Sequence, residues 1–172
     1  MRLLVTGATG YVGGRLIPQL LAAGHTVRVM VRNAGRIAGR SWLPAVEVAV
    51  GDLLDRDATA RALDGVDQAY YLVHSMLAPE FEEIDRRAAE TFAAAALPSL
   101  TRTIYLGGPL PRGTRQSEHL RSRAEVGAIL ARSLPVLEFR AGPIVGSGSA
   151  SFEMVRYLTE RLPAMVAPRW ID

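Results

Sequence analysis

The sequence predicts an α/β protein built on a doubly wound parallel sheet, with helices on both faces in a three-layer α/β/α arrangement. Two observations predict it. Short β-rich runs alternate with longer helical stretches along the chain, and a glycine-rich turn follows the first apolar run at once. Strands joined by crossover helices must pair in parallel, because a hairpin joins only antiparallel neighbours. The 172 residues suffice for one globular domain with a substantial core and are too few for two.

Each element has its own signal. Residues 2–6, RLLVT, form an apolar first strand, 11–23 a helix closed by Gly24, and 26–31 a second strand. Residues 46–50 make a third strand, 54–63 a short helix ended near Gly65, and 68–73 a fourth strand. Over 80–96, Phe81, Ile84, Ala88, Phe92 and Ala95 share one helical face, opposite Glu82, Arg86 and Glu90. Residues 103–106 are the fifth strand. Ser117 caps a helix running to Arg132, 136–139 are the sixth strand, and 151–161 the last helix. The stretches 34–44 and 109–116, rich in Gly, Pro and Arg, read as loops within one domain.

Composition excludes several functions. There is no cysteine, so neither disulfides nor thiolate chemistry is available, and a reducing, cytoplasmic location is expected. All 20 basic residues are arginine, which removes every mechanism that needs a lysine, Schiff bases and a P-loop lysine among them. The arginines are scattered among acids with no aromatic residues interleaved in a basic run, which argues against nucleic acid as a partner. No stretch approaches the roughly 18 apolar residues of a membrane span, so no membrane role is expected.

Residues 6–13 read TGATGYVG, with Gly7, Gly10 and Gly13 spaced G-x-x-G-x-x-G. Three glycines in a loop can simply make a turn. Placed after the first strand and before an apolar helix with no capping side chain, they predict a dinucleotide site: one glycine permits the turn, one lets backbone approach a pyrophosphate, and one lets the helix pack closely. The helix amides and dipole then favour the anion. The turn residues Gly7, Thr9, Gly10, Tyr11, Val12 and Gly13 are the candidate cofactor contacts.

The second strand ends at Arg32, where an acid would bind the ribose hydroxyls of NAD, and no acid occurs before Glu47. Arg32 can instead fork onto a 2′-phosphate, with Arg36 and Arg40 alongside if 33–40 is helical, so NADPH is expected in preference to NADH. The other reading makes Arg32 a solvated strand end. Asp52 is either a ligand contact or a cap for the next helix, and His74 either a chemical group or a strand-end histidine bonded to backbone.

VTGATGYVG resembles the N-terminus of the extended and atypical short-chain dehydrogenase/reductases. The resemblance continues through VRVMVR at 27–32, GDL at 51–53, YYLVHSM at 70–76, IYLGG at 104–108, HLRSRAEVG at 119–127 and EFRAGPIVGSGSASFEM at 138–154. It is similar to the NAD(P)-binding proteins related to NmrA-like regulators and to an accessory subunit of respiratory complex I. The resemblance implies a Rossmann fold in which Asp52 meets the adenine amine, Leu53 covers the ring edge, and Val73 and His74 border the cofactor ribose. Active members carry Tyr-x-x-x-Lys on the helix after the fifth strand. At the matching positions stand His119 and Arg123, four apart on one helical face, which makes them the candidate catalytic pair. The serine usual after the fifth strand is replaced by Gly107 and Gly108.

Three functions remain open: an NADPH-dependent oxidoreductase acting on an unknown small molecule, a redox sensor that reads the cofactor for a protein partner, and a structural subunit stabilised by bound nucleotide. The chain is expected to be one domain, 1–172, lacking the substrate lobe of the superfamily, and to cover exposed apolar surface by forming a homo-oligomer.

Overall fold

In the computed structural model the described residues are 1–75, 78–96, 100–109 and 117–162; most of the 109–116 loop and Met76 therefore lie outside them. They fall into two compact units, Met1–Ala141 and Gly142–Asp172. The first unit runs β1 (Arg2–Thr6), α1 (Tyr11–Ala22), β2 (Thr26–Val31), β3 (Glu47–Val50), α2 (Arg56–Leu63), β4 (Gln68–Tyr71), α3 (Phe81–Ala95), β5 (Arg102–Gly107), α4 (Glu118–Ser133) and β6 (Val136–Arg140). The second contains α5 (Ala150–Arg161), whose first turn is capped by Ser149 accepting from the Phe152 amide at 3.3 Å.

All six strands are parallel, in the order β3-β2-β1-β4-β5-β6. Chain order reverses between β1 and β4, and in such a sheet a crevice opens there, beyond the strands' carboxyl ends. Alternating side chains of the strands feed two cores. Leu4, Met30, Ala69, Tyr71 and Tyr105 pack with Phe92 and Leu130 of α3 and α4 on one face. Leu3, Val5, Val27 and Val29 pack with Ile17 and Leu20 of α1 on the other.

The expected strands and helices are all present, with shifted ends. The β4 ladder stops at Tyr71 rather than at Val73: its pairing with β1 ends at Tyr70 and that with β5 at Tyr71. The Thr6 hydroxyl takes over there, donating to the Tyr70 carbonyl at 3.0 Å and accepting from the Leu72 amide at 3.2 Å. Helix α2 begins at Arg56 rather than at 54, since Asp55 accepts from the Asp57 and Ala58 amides and caps it. Residues 33–40 form no continuous helix. A 3-10 turn spans Ala34–Ile37, and Gly39 then takes φ +79.

Helix α1 lies against the turn that introduces it. A Cβ added at Gly13 would stand 2.4 Å from the Gly7 carbonyl oxygen, whereas one at Gly14 meets nothing closer than 3.6 Å. Gly13→Ala should therefore lower stability by about 1–3 kcal/mol, while Gly14→Ala, at an unstrained helical position, should raise it by about 0.5–1 kcal/mol. Urea melts of both variants check this, and equal midpoints would contradict it.

Candidate functional site

The glycine turn forms the head of a cleft of about 270 Å³ along the carboxyl ends of the strands. Gly7 has φ +74, and a Cβ there would come within 2.8 Å of the Leu72 carbonyl oxygen, so the chain can turn only as glycine. Gly10 closes the turn, its amide donating to the Gly7 carbonyl at 3.0 Å, and serves as the cap of α1. No side chain caps that helix and no acid stands in its first turn. Its leading amides are thus left for an anion. Gly7, Thr9 and Gly10 line the cleft. Gly13 is buried under the turn, Val12 is half-buried, and the Tyr11 ring lies 3.8 Å from the Arg15 guanidinium; these three stand outside the lining.

The wall at the end of β2 is basic. Arg32, Asn33 and Arg36 line it; both arginines are exposed, and neither guanidinium makes a hydrogen bond or ion pair among the described residues. Arg40 lies apart, beside Gly14 of α1. Asp52 and Leu53 form the opposite lip. Asp52 Oδ1 accepts from the Leu54 amide at 3.0 Å, a local turn, while the helix cap is Asp55. Leu53 is buried and joins the core.

At the inner end the lining is Leu72, Val73, His74, Ser75, Ile84, Asp85 and Ala88. Asp85 is only 6% exposed, and Ser75 hydrogen-bonds to its carboxyl through both hydroxyl and backbone. Burial pushes Asp85 above the usual carboxylate range, against the pull of Ser75, His74 and Arg123. His74 is exposed, yet partial loss of water around its ring pushes it down, as does Arg123. The His119 ring stands 6.5 Å from that of His74 and 6.5 Å from Phe81, and is likewise pushed down by desolvation and then by Arg123.

His119 and Arg123 are outside the cleft lining, behind His74 and Val73. The Arg123 guanidinium is buried and donates to the Val73 carbonyl at 3.4 Å and to that of Leu106, tying α4 to the ends of β4 and β5. The Tyr105 hydroxyl donates to the Arg123 carbonyl at 2.8 Å, and burial pushes that phenol up to about 12. No group of residues suited to hold a metal ion occurs among the described residues.

Sequence reasoning passed over Asp85 and Ser75. The signal was present, since Asp85 falls four residues after Phe81 and three before Ala88, an acid inside the apolar stripe. Of the predicted contacts, the structure brings Gly7, Thr9, Gly10, Arg32, Asp52, Leu53, Val73 and His74 to one cleft.

A glycine turn at the switch point of a 3-2-1-4-5-6 sheet defines a dinucleotide-binding protein of Rossmann type. The chain belongs to the NAD(P)H-binding family, matched over residues 7–110. It is 46% identical over 71 residues to sterol demethylase protein B of Methylococcus capsulatus, covering 41% of this chain and 21% of that protein. It is 38% identical over 100 residues to a (4-alkanoyl-5-oxo-2,5-dihydrofuran-3-yl)methyl phosphate reductase of Streptomyces griseus, covering 58% of this chain and 33% of that one. Triphenylmethane reductase of Citrobacter sp., solved with NADP(H), superposes with a TM-score of 0.68 at 20% identity, over 80% of this chain and 48% of that chain, a likeness of fold. The matches span less than half the length of these relatives. The resemblance to atypical short-chain dehydrogenases holds for the NAD(P)-binding domain and its fold. No helix among the described residues is long and apolar enough to cross a membrane.

The histidines give the site a pH signature. A group held below its ordinary value of 6.5 binds fewer protons folded than unfolded, so its contribution to stability is lost as pH falls through 6.5 toward the folded value. Asp85 acts in the opposite sense and is common to both proteins compared. In His119→Gln the melting temperature should therefore fall less steeply between about pH 7.5 and about pH 5.5 than in the unmodified protein. Parallel curves in thermal melts would contradict the assignment.

Proposed function

We propose that this chain is the NADP(H)-binding part of an oxidoreductase of the atypical short-chain dehydrogenase type, acting on a small molecule. The observation that carries the reading is the acid-free end of β2, where two exposed arginines without partners line the cleft that begins at the glycine turn. The residues fit the group. A glycine-only turn and uncapped helix amides suit a pyrophosphate, and paired guanidinium groups suit a 2′-phosphate, which would find an acid repulsive in the same place. Gly7, Thr9 and Gly10, with the leading α1 amides of Tyr11 and Val12, would hold the pyrophosphate, Gly13 would seat the helix under the turn, Arg32 and Arg36 would hold the 2′-phosphate, and Asp52 and Leu53 the adenine. Val73 and His74 would border the ribose next to the nicotinamide. The relatives named as reductases support an oxidoreductase in particular.

A second reading, a sensor or structural subunit that binds NADP(H) without turnover, is favoured by one observation. His119 and Arg123 replace the usual Tyr and Lys, and the Arg123 guanidinium is engaged by strand-end carbonyls. Consumption of NADPH with a carbonyl compound separates the two readings.

A charge-assisted fork contributes about 1.5–3 kcal/mol, so NADPH should bind about tenfold to a hundredfold more tightly than NADH. In Arg32→Ala that preference should collapse while NADH affinity stays nearly constant; calorimetric titration measures both. Equal affinities in the unmodified protein would contradict the cofactor choice. Gly10→Val should abolish binding of both cofactors with the far-ultraviolet spectrum unchanged, because its side chain occupies the approach to the pyrophosphate. Unaltered affinity in that variant would reduce the turn to a structural role.

A further inference from the structure

Among the described residues the buried charged side chains are Asp85 and Arg123. Arg123 has an evident structural reason: its donors meet the carbonyls of Val73 and Leu106 at the strand ends. Asp85 is tied to the segment after β4 by the Ser75 hydroxyl and backbone, but its charge is left without a counter-ion. It makes no ion pair among the described residues, and it stands past the first turn of α3, where the helix dipole is no longer strong. A buried carboxylate held mainly by Ser75 costs stability, and such groups cluster where a protein uses them. Its surroundings name the use. Asp85 opens onto the cleft together with His74, the residue before Ser75, and the same end is walled by Leu72, Ile84 and Ala88.

We propose that Asp85 and His74 form a proton-holding pair at the inner end of the cleft and supply the proton for reduction of a small, mainly apolar carbonyl compound bound against Leu72, Ile84 and Ala88. The assignment rests on the NADP(H) reading above and places the acid at His74 rather than at His119, which lies outside the cleft lining. When bound, the reduced dinucleotide supplies a hydride, both electrons of the new C–H bond. The carbonyl π pair moves onto oxygen, which needs one proton. The His74 ring N–H gives that proton to the oxygen, keeping its own electron pair on nitrogen, and the alcohol results. Asp85 stabilises the imidazolium before transfer, and water at the exposed edge of His74 restores the proton.

The electrostatics around the pair agree. Loss of water favours neutral forms of both groups, while each favours the charged form of the other, so that their titrations are linked. The other facing groups are Tyr71 of β4, Tyr105 of β5, and His119 and Arg123 of α4. Both phenols are pushed upward and remain protonated, and Arg123 disfavours a second positive charge on either histidine.

The test has one part free of turnover. The chain has three histidines, His25, His74 and His119, whose ring signals can be assigned by single Gln variants and titrated by nitrogen-15 correlation spectroscopy. In Asp85→Asn the His74 pKa should fall by about one unit, with His25 unmoved. In the second part NADPH consumption is followed with phenanthrenequinone, diacetyl and benzaldehyde. Turnover should fall by about 10²- to 10⁴-fold in His74→Gln and in Asp85→Asn, with NADPH affinity within about twofold. Thermal melts of both variants exclude unfolding, and since the two residues differ in burial, one folded variant suffices to decide. An unmoved His74 titration in Asp85→Asn overturns the pair. So does full turnover in His74→Gln, loss of turnover confined to His119→Gln, or tight NADPH binding with no reduction of any of the three carbonyls. Failure of the unmodified protein to bind NADPH removes the underlying cofactor reading instead, while the histidine titration still decides whether the pair exists.

Discussion

The close seating of α1 on the turn after β1 is the constraint on which the rest of the structure depends. With only hydrogen at Gly13, the first turn of the helix reaches the Gly7 carbonyl, and with only hydrogen at Gly7, the chain clears the Leu72 backbone. Those two approaches aim the uncapped end of α1 at the point where strand order reverses. Gly10 is different in kind: an added Cβ would meet only the Gly7 oxygen, at 3.2 Å, and its face is turned to the cleft. Two glycines of the motif thus build the turn, and the third leaves the turn open.

The inner end is fixed by another device. Arg123 supplies donors from α4 to two carbonyls here, that of Val73, two residues beyond β4, and that of Leu106, next to last in β5. Tyr105 closes the arrangement by bonding back to the Arg123 carbonyl, with the guanidinium 5.2 Å from its ring. A lysine at this place, with one compact ammonium, would bridge two diverging carbonyls less well than a planar fork. The positive charge so buried faces His74, His119 and Asp85; it adds to the effect of lost water in holding both histidines down, and opposes the effect of burial that raises Asp85.

The fold was legible because its determinants are local and periodic: apolar strand runs, helical stripes, and glycines at strand-to-helix turns. Ends were legible less often. Nothing in the composition of 68–73 says that the ladder stops at Tyr71, since that end is set by pairing with β1 and β5, neighbours in space. Asp52 and Asp55 are equally good caps by type, and geometry alone gives the helix to Asp55. The outer cleft was readable from Gly7, Gly10, Arg32 and Asp52 because such sites follow chain order around the switch point. At the inner cleft Val73 and His74 were readable in the same way, but Asp85 was not, because α3 brings it there from a separate element. Asp85 was concealed further by lying in an apolar stripe, where pattern reading attends to the hydrophobic members and passes over the exception.

The basic wall at the end of β2 is proposed to hold the phosphate that distinguishes NADPH from NADH. A crystal structure of the protein with NADPH tests this most directly. The pyrophosphate should lie at the amides that begin α1, with the 2′-phosphate hydrogen-bonded to the Arg32 guanidinium. A dinucleotide bound with its 2′-phosphate in solvent, away from Arg32 and Arg36, would contradict it.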